Sequence, residues 1–381
     1  MSRVVTPIKC LHVVSGDLWA GAEVQLFTLL TQLARGNRVL PHAVLLNEGE
    51  LTRRLRSIGV PTTVFDESKL GSSQVLFRLK RHIRELRPHI VHTHRQKENV
   101  LGSIAASLAR HTISMRTSHG SPEHLATSVA DIKKRAFRKL DHWCGKYLQR
   151  SIIAVSRPLA QELASRFDSR RIVVIENGVD LEMLEAHEGV ADFRAARPGA
   201  THVGIVGRLE PVKRVDIFLE MCALLRQREP HKSWQFHVIG AGSMQAALRE
   251  QAARLDLGEG VTFHGHRNDS YTCLASLDAL VMCSDHEGMP MTPLEAVALG
   301  TPVVGHAVGG LNDILSDDAG GLLTTHHNPA GYAQRVLDLL GGDRTRIVEA
   351  GKARIRARFS ARSNAERMVD HYMTLLEAEA H

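Results

Sequence analysis

Strand-length apolar runs alternate with amphipathic helical stretches along almost the whole chain, and near residue 201 the pattern begins again. Ile8–Val14 reads as a buried strand, followed by the loop Ser15–Glu23 and a helix to about Arg35. Further strands are expected at His42–Leu46, Thr63–Phe65, His89–His92, Ile113–Thr117, Ile152–Val155 and Ile172–Ile175. The second half repeats the opening with a strand at His202–Val206, the loop Gly207–Arg214 and another helix. Strands at Phe236–Ile239, Val261–His264, Leu280–Cys283 and Pro302–Val304 follow. Parallel strands need crossover connections, and strand–helix alternation supplies them, so the fold class is α/β with two Rossmann-like units. The spacing divides the chain into residues 1–185, a linker at 186–200 with turn residues and weak periodicity, residues 201–358, and an amphipathic helix over 359–381.

Composition narrows the class. A hydrophobic content of 43% and a charged content of 23% are those of a globular protein, and 381 residues suit two domains. No run of about 18 apolar residues is present, and the first residues lack the apolar core of a secretory signal. The five cysteines are scattered without C-x-x-C spacing, so a disulfide framework and structural zinc are not expected, and a cytoplasmic setting is. The formal charge of +7 is concentrated: residues 133–150 hold seven Lys/Arg and one Asp. Aromatics are only 4% of the chain, which argues against a nucleic-acid surface.

The most informative segment is Ser284-Asp-His-Glu-Gly-Met-Pro-Met-Thr-Pro-Leu-Glu-Ala-Val-Ala-Leu-Gly300. Glu287 falls on a loop rich in Gly and Pro, and Glu295 about two turns into the helix that follows. Strand, loop and helix N-terminus form a usual phosphate cradle, because unpaired N–H groups and the helix dipole face an anion. The run resembles the E-x7-E motif of the family 4 glycosyltransferases, retaining, nucleotide-sugar-dependent enzymes of the glycogen-synthase-like GT-B superfamily. Gly207-Arg208-Leu209 … Lys213 resembles that family's G-R-x-x-x-x-K loop, with Arg214 where relatives usually have glycine. Gly240-Ala-Gly242 is similar to its G-x-G turn, and Ala20-Gly21-Ala22-Glu23 to its G-G-A-E loop with Ala20 replacing the first glycine. His119, in Arg116-Thr-Ser-His-Gly-Ser-Pro122, matches the active-site histidine, with His94 as a possible accessory.

The resemblance covers essentially the whole chain and implies a GT-B fold, two Rossmann-like domains facing each other across a cleft, with the last helix crossing back to the first. It implies transfer of a sugar, with retention, from a nucleoside-diphosphate sugar (UDP favoured) to a hydroxyl of a saccharide or lipid-linked acceptor. In that reading Arg208 and Lys213 meet the charge on the leaving diphosphate. Met291 and Thr292 offer backbone N–H groups at a helix N-terminus near Thr292, and Glu295 takes the ribose hydroxyls. Glu287, Gly288 and Met289 hold the sugar, while Gly21, Gly240, Gly242 and His266 lie along the donor. His119, Glu287, Arg208 and Lys213 form the catalytic set. Glu23 is expected to cap its helix. No D-x-D triplet follows a strand, so no metal or other cofactor is expected. A GT-B sugar-nucleotide 2-epimerase and a non-catalytic sugar-nucleotide-binding protein are the alternatives. The basic stretch 132–150 carries Ile132, Ala136, Phe137, Leu140, Trp143, Cys144, Tyr147 and Leu148 at helical spacing. Either this stripe packs into a core, or its basic face rests on an anionic membrane surface, as in assembly of polysaccharides of the cell envelope.

Overall fold

The computed structural model describes residues 6–17, 19–120, 130–315 and 319–380. Side chains of the helix Ala130–Tyr147 are described from Arg135 onward, so Ile132, Lys133 and Lys134 lie outside the described side chains. Residues 1–178 and 361–381 form one unit, and residues 179–360 the other.

Among the described residues the first unit contains β1 (Ile8–Val14), β2 (Val39–Leu45), β3 (Thr62–Val64), β4 (Ile90–Thr93), β5 (Ile113–Ser118), β6 (Ser151–Ala154) and β7 (Ile172–Val174). They lie in the order β3-β2-β1-β4-β5-β6-β7, and every pairing is parallel. The chain therefore winds outward in both directions from β1 and β4, which places a switch point between their carboxyl ends. Successive side chains of a strand face opposite sides. Cys10 and Val14 pack with Leu26 and Leu30 of the helix Gly21–Arg35 and with Met368 and Tyr372 of the helix Ala361–Ala380. Leu11 and Val13 pack on the other side with Val75, Leu79 and Leu101. Burial on both faces explains why these strands read as nearly unbroken apolar runs.

The second unit repeats the plan with β8 (Thr201–Val206), β9 (Trp234–Ile239), β10 (Val261–Gly265), β11 (Ala279–Met282), β12 (Val303–His306) and β13 (Gly321–Thr324), in the parallel order β10-β9-β8-β11-β12-β13. Its core joins Val203, Phe236 and Val238 to Phe218, Leu225 and Tyr332. β13 was not among the expected strands. Only four residues long and opening on Gly321, it offers too little alternation to stand out.

The division of the chain differs from the expected one. The units meet in sequence at Gly178/Val179 rather than after residue 185, and residues 186–200 are docked on the second unit. Ala191 is buried and donates its N–H to Ser276 Oγ at 2.8 Å, and the Arg194 guanidinium forks onto both oxygens of Asp278 at 2.9 Å. A bidentate pair of this kind fixes a segment whose composition alone suggests a linker. At the return crossing Val179 N–H donates to Phe359 O at 2.9 Å. The last helix, Ala361–Ala380, is part of the first unit's core.

The helix Ala130–Tyr147 separates its apolar stripe into two sets. Cys144 is buried, whereas Leu140, Trp143 and Tyr147 are exposed by 39%, 47% and 62% among Arg138, Lys139 and Lys146. The stripe therefore does not pack wholly into a core. Among the described residues no helix is long and apolar enough to cross a membrane.

Candidate functional site

Five loops of the second unit leave the carboxyl ends of β8 to β12, the edge at which open parallel sheets bind ligands. Gly240 follows β9 with φ +138, and a Cβ there would stand 1.8 Å from Gly207 O, so only glycine lets the loops after β8 and β9 touch. Gly240 N–H donates to Gly265 O at 2.8 Å, which binds the loop after β10 to the same group and leaves the His266 side chain exposed beside it. Gly242 is backed by Leu209 main chain in the same manner.

The loop Gly207–Arg214 is tied to the loop after β11. Lys213 Nζ lies 2.6 Å from Glu287 Oε1, and Glu287 is almost fully buried. Asp285 donates its N–H to Val212 O at 2.9 Å, and its carboxylate pairs with Arg214 at 3.2 Å and His327 at 2.9 Å. Arg214 has φ 49 and ψ 46, a left-handed conformation that glycine adopts without penalty. The Arg214 fork onto Asp216 at 2.8 Å and onto Asp285 offsets that cost and explains how an arginine stands at this position. Arg208 is exposed on the same loop and, with Gly207, Leu209, Lys213 and Ser284, lines a small pocket.

The helix after this loop is Met291–Leu299, with Pro290 as N-cap and no capping side chain. It begins one residue before the expected start at Thr292. Pro293 falls in its first turn and carries no N–H, so Met291 and Thr292 supply the first main-chain donors. Glu295 is the fifth helical residue, just over one turn in rather than two. It is buried, makes no hydrogen bond among the described residues, and burial pushes its carboxyl up to about 7. Gly288 and Met289 are held from behind: Gly310 N–H donates to Gly288 O at 2.8 Å, and a Cβ on Gly309, φ +50, would stand 1.7 Å from Glu287 O. Gly309-Gly310, Asp285 and the stacked rings of His306 and His327, 4.0 Å apart, were not foreseen. The two adjacent glycines after β12 were the one sequence signal for them.

In the first unit, Gly21 is the exposed first residue of the helix Gly21–Arg35, with Ala20 as its N-cap. Glu23, in the first turn of this helix, is buried and pairs with Arg95; no main-chain hydrogen bond to its carboxylate is present among the described residues, so the expected capping bond is not formed. Burial raises its carboxyl pKa against the opposing pull of Arg95. Glu98, in the first turn of the helix Gln96–Ala109, is likewise buried and pushed up to about 7. His119 and His94, the accessory candidate, are neighbours: His94 Nδ1 lies 3.2 Å from His119 Nε2. Burial drives His119 down to about 4 and His94 well below its usual value, so both rings are neutral. Cys10, His12 and His92 are close enough to share a cation.

Two family models match the chain: "Glycosyltransferase Family 4" over residues 19–183 and "Glycosyl transferases group 1" over residues 200–341. The chain belongs to the family 4 glycosyltransferases. Among relatives, the D-inositol 3-phosphate glycosyltransferase of Salinispora tropica is 31% identical over 241 residues, 58% of this chain and 50% of that protein. The chain thus spans about half the length of the curated relatives it matches first. The UDP-Gal:alpha-D-GlcNAc-diphosphoundecaprenol alpha-1,3-galactosyltransferase of Escherichia coli is 27% identical over 322 residues, 79% of this chain and 83% of that one. Anabaena HepE, solved in complex with UDP-glucose, superposes with a TM-score of 0.82 at 21% identity, covering 96% of this chain and all of that one. That likeness establishes the GT-B fold for this family 4 protein.

The unliganded site should weaken the protein at alkaline pH. A carboxyl raised to about 7 stabilises the folded state below its unfolded value of 4.5, and that contribution is lost as pH rises through 7. Glu295→Gln should therefore match the wild type near pH 4 and exceed it at pH 8 by up to about 3 kcal/mol in urea unfolding. Equal stability of the two proteins at pH 8 would remove the buried, raised carboxyl from the account.

Proposed function

We propose that this family 4 protein transfers a hexosyl group from a nucleoside-diphosphate sugar, UDP-linked, to a hydroxyl of a saccharide or lipid-linked acceptor in cell-envelope polysaccharide or glycolipid assembly. Retention of anomeric configuration rests on family membership. The observation that carries the reading is the Lys213–Glu287 pair beside the uncapped start of the helix Met291–Leu299, with the unbonded Glu295 carboxyl one turn further in. Each stage of the reaction finds a group of matching chemistry there. Glu295 accepts from ribose hydroxyls, and Met291 and Thr292 direct N–H groups at phosphate oxygens. As the glycosidic bond breaks, negative charge grows on the diphosphate, and Arg208 and Lys213 meet it in the transition state. Lys213 serves two anions, because its ammonium already neutralises Glu287 and retains two further donors for phosphate. Glu287 and the Gly288-Met289 main chain hold sugar hydroxyls, and His119 is the active-site histidine that the family resemblance implies. The galactosyltransferase relative, named for a UDP-sugar and a lipid-linked acceptor, supports the choice of both substrates.

Arg208→Ala and Glu295→Ala should keep the fold and lose UDP affinity by about tenfold or more, since each removes a hydrogen bond to a charged partner worth about 2 kcal/mol. Unchanged affinity in calorimetry would displace the donor from this edge of the second unit. An epimeric sugar nucleotide formed without acceptor would instead establish the epimerase alternative, and binding without turnover across an acceptor panel the non-catalytic one.

Two fixed cations and a helix N-terminus supply positive charge without a divalent ion. Transfer should therefore persist in excess EDTA. Abolition by EDTA, with recovery on adding Mn2+ or Mg2+, would assign the charge-neutralising role to a metal.

The exposed face of the helix Ala130–Tyr147 suits a lipid-linked acceptor. Trp143 and Tyr147, ring centroids 5.7 Å apart, project beside Arg138, Lys139 and Lys146. Aromatic rings settle at the headgroup boundary, and each nearby basic residue adds about 1 kcal/mol on an anionic surface. The protein should float with anionic vesicles at low salt, not with neutral ones. The double substitution Arg138→Glu/Lys139→Glu should abolish flotation without lowering the melting temperature. Indifference to vesicle charge would leave a soluble acceptor.

A further inference from the structure

Behind His119, a single file of polar side chains runs through the first unit. Thr117 Oγ1 lies 2.7 Å from His92 Nε2, and His92 Nδ1 lies 2.7 Å from the hydroxyl of Tyr372 on the last helix. Tyr372 stands beside the Cys10 thiol, each shifting the other's proton affinity, and Cys10 Sγ is 3.4 Å from His12 Nε2. His12 Nδ1 is 3.0 Å from His94 Nε2, and His94 Nδ1 is 3.2 Å from His119 Nε2. The last atom, His119 Nδ1, is buried and has no hydrogen-bond partner among the described residues. The file follows from register: β1 and β4 set His12 opposite His92, and alternation along the two strands puts Cys10 and His94 on the same side.

Burial holds every ring in the neutral state, with His12 lowered to about 3, and pushes the Cys10 thiol up to about 12. A neutral imidazole carries one N–H and one lone pair, so each ring that donates on one side accepts on the other. The tautomers are therefore coupled in series, and the file has one of two polarities. The second unit shows how such a file is fixed. His202 Nε2 lies 2.9 Å from Arg197 O, a carbonyl that only accepts, so His202 accepts from His237 at 2.9 Å and His237 from His264 at 3.0 Å. In the first unit the phenol takes the deciding part. Tyr372 O–H is the strongest neutral donor of the file and imidazole nitrogen its best acceptor, so the phenol donates to His92 Nδ1, and His92 Nε2–H to Thr117. The phenolic oxygen then accepts the thiol hydrogen, the sulfur accepts from His12 Nε2–H, His12 from His94 Nε2–H, and His94 from His119 Nε2–H. Either polarity places one hydrogen in every contact, so the preference of the phenol for the imidazole nitrogen decides between them.

We propose that the file is a tautomer lock in which Tyr372, acting through Cys10, His12 and His94, holds His119 as the Nε2–H form, so that a lone pair at Nδ1 is presented to accept a hydrogen bond from a substrate hydroxyl. The substrate part of this proposal rests on the transferase reading above. His119 is the residue that touches substrate; Tyr372, Cys10, His12 and His94 position it. Cys10, His12 and His92 could gather a cation only by surrendering bonds already made within the file and the thiol proton.

Ring nitrogen spectra of the unliganded, 15N-histidine-labelled protein test the lock without any substrate, His119 being assigned by difference from His119→Gln. The expected result at neutral pH is a protonated Nε2 and a bare Nδ1. An Nδ1–H form, a cationic ring, or one equivalent of bound metal in the purified protein overturns the proposal. Tyr372→Phe and Cys10→Ala should each introduce the Nδ1–H form, whereas Cys10→Ser, which keeps a donor and an acceptor, should retain the wild-type tautomer. In Tyr372→Phe the turnover number should fall about tenfold with UDP affinity unchanged. An unaltered His119 spectrum in both disrupting variants, with only a lowered melting temperature, reduces the file to packing and overturns the lock. Absence of transfer to any acceptor would defeat the functional reading while leaving the spectroscopic result to stand.

Discussion

The second unit depends most on the tie between the loop Gly207–Arg214 and the loop after β11. Lys213 and Glu287 come from elements 74 positions apart in the chain, and their ion pair at 2.6 Å sits with the glutamate almost fully covered. A charge removed from water in this way is tolerable only with a partner. The pair therefore constrains each loop to the position of the other. Asp285 reinforces the tie through the main chain of Val212 and through Arg214 and His327. Two loops so coupled can meet an anionic ligand with little reorganisation, which is the condition under which fixed charge is most effective.

Glu295 shows what such a site costs the unliganded protein. Its carboxyl is buried without a hydrogen bond among the described residues, on a helix whose first turn lacks a capping side chain. Both features are unfavourable for a fold considered alone. A ligand carrying hydroxyls and phosphates would satisfy both at once, one turn apart, and conflict between local stability and local composition is expected where a protein acts.

Much of this was legible in the sequence. The strands of both sheets are buried on two faces, so their apolar runs stand out, and Gly and Pro mark the loops that carry Arg208, Lys213, Glu287 and Glu295. What escaped the reading depends on contacts distant in sequence. Nothing in the order of residues pairs Lys213 with Glu287, or sets Gly309 against the main chain of Glu287. The alternation of Cys10 with His12, and of His92 with His94, is visible, but only the adjacency of β1 and β4 turns two short patterns into one file. The docked segment 186–200 reads as a linker because the partner of Arg194 is Asp278, more than eighty residues away. Residues 135–147 could have faced inward or outward, and only the helix's rotation against its neighbours decides that Trp143 and Tyr147 are exposed.

The departures from the family pattern are instructive because the structure compensates each in a different currency. At position 214 an arginine takes a backbone conformation suited to glycine, and its side chain recovers the cost by forking onto Asp216 and Asp285. The substitution thus adds a third strut between the loop Gly207–Arg214 and the loop after β11, which glycine could not provide. At position 20 alanine replaces glycine with an ordinary extended backbone, φ −138 and ψ −178, so no left-handed residue is required there. Glu23 in the first turn of that helix is buried and paired with Arg95, which in turn acts on the electrostatics of His119. One change stiffens the site by adding contacts, and the other is absorbed because the conformation never demanded glycine. A motif match that scored both simply as mismatches would miss that distinction.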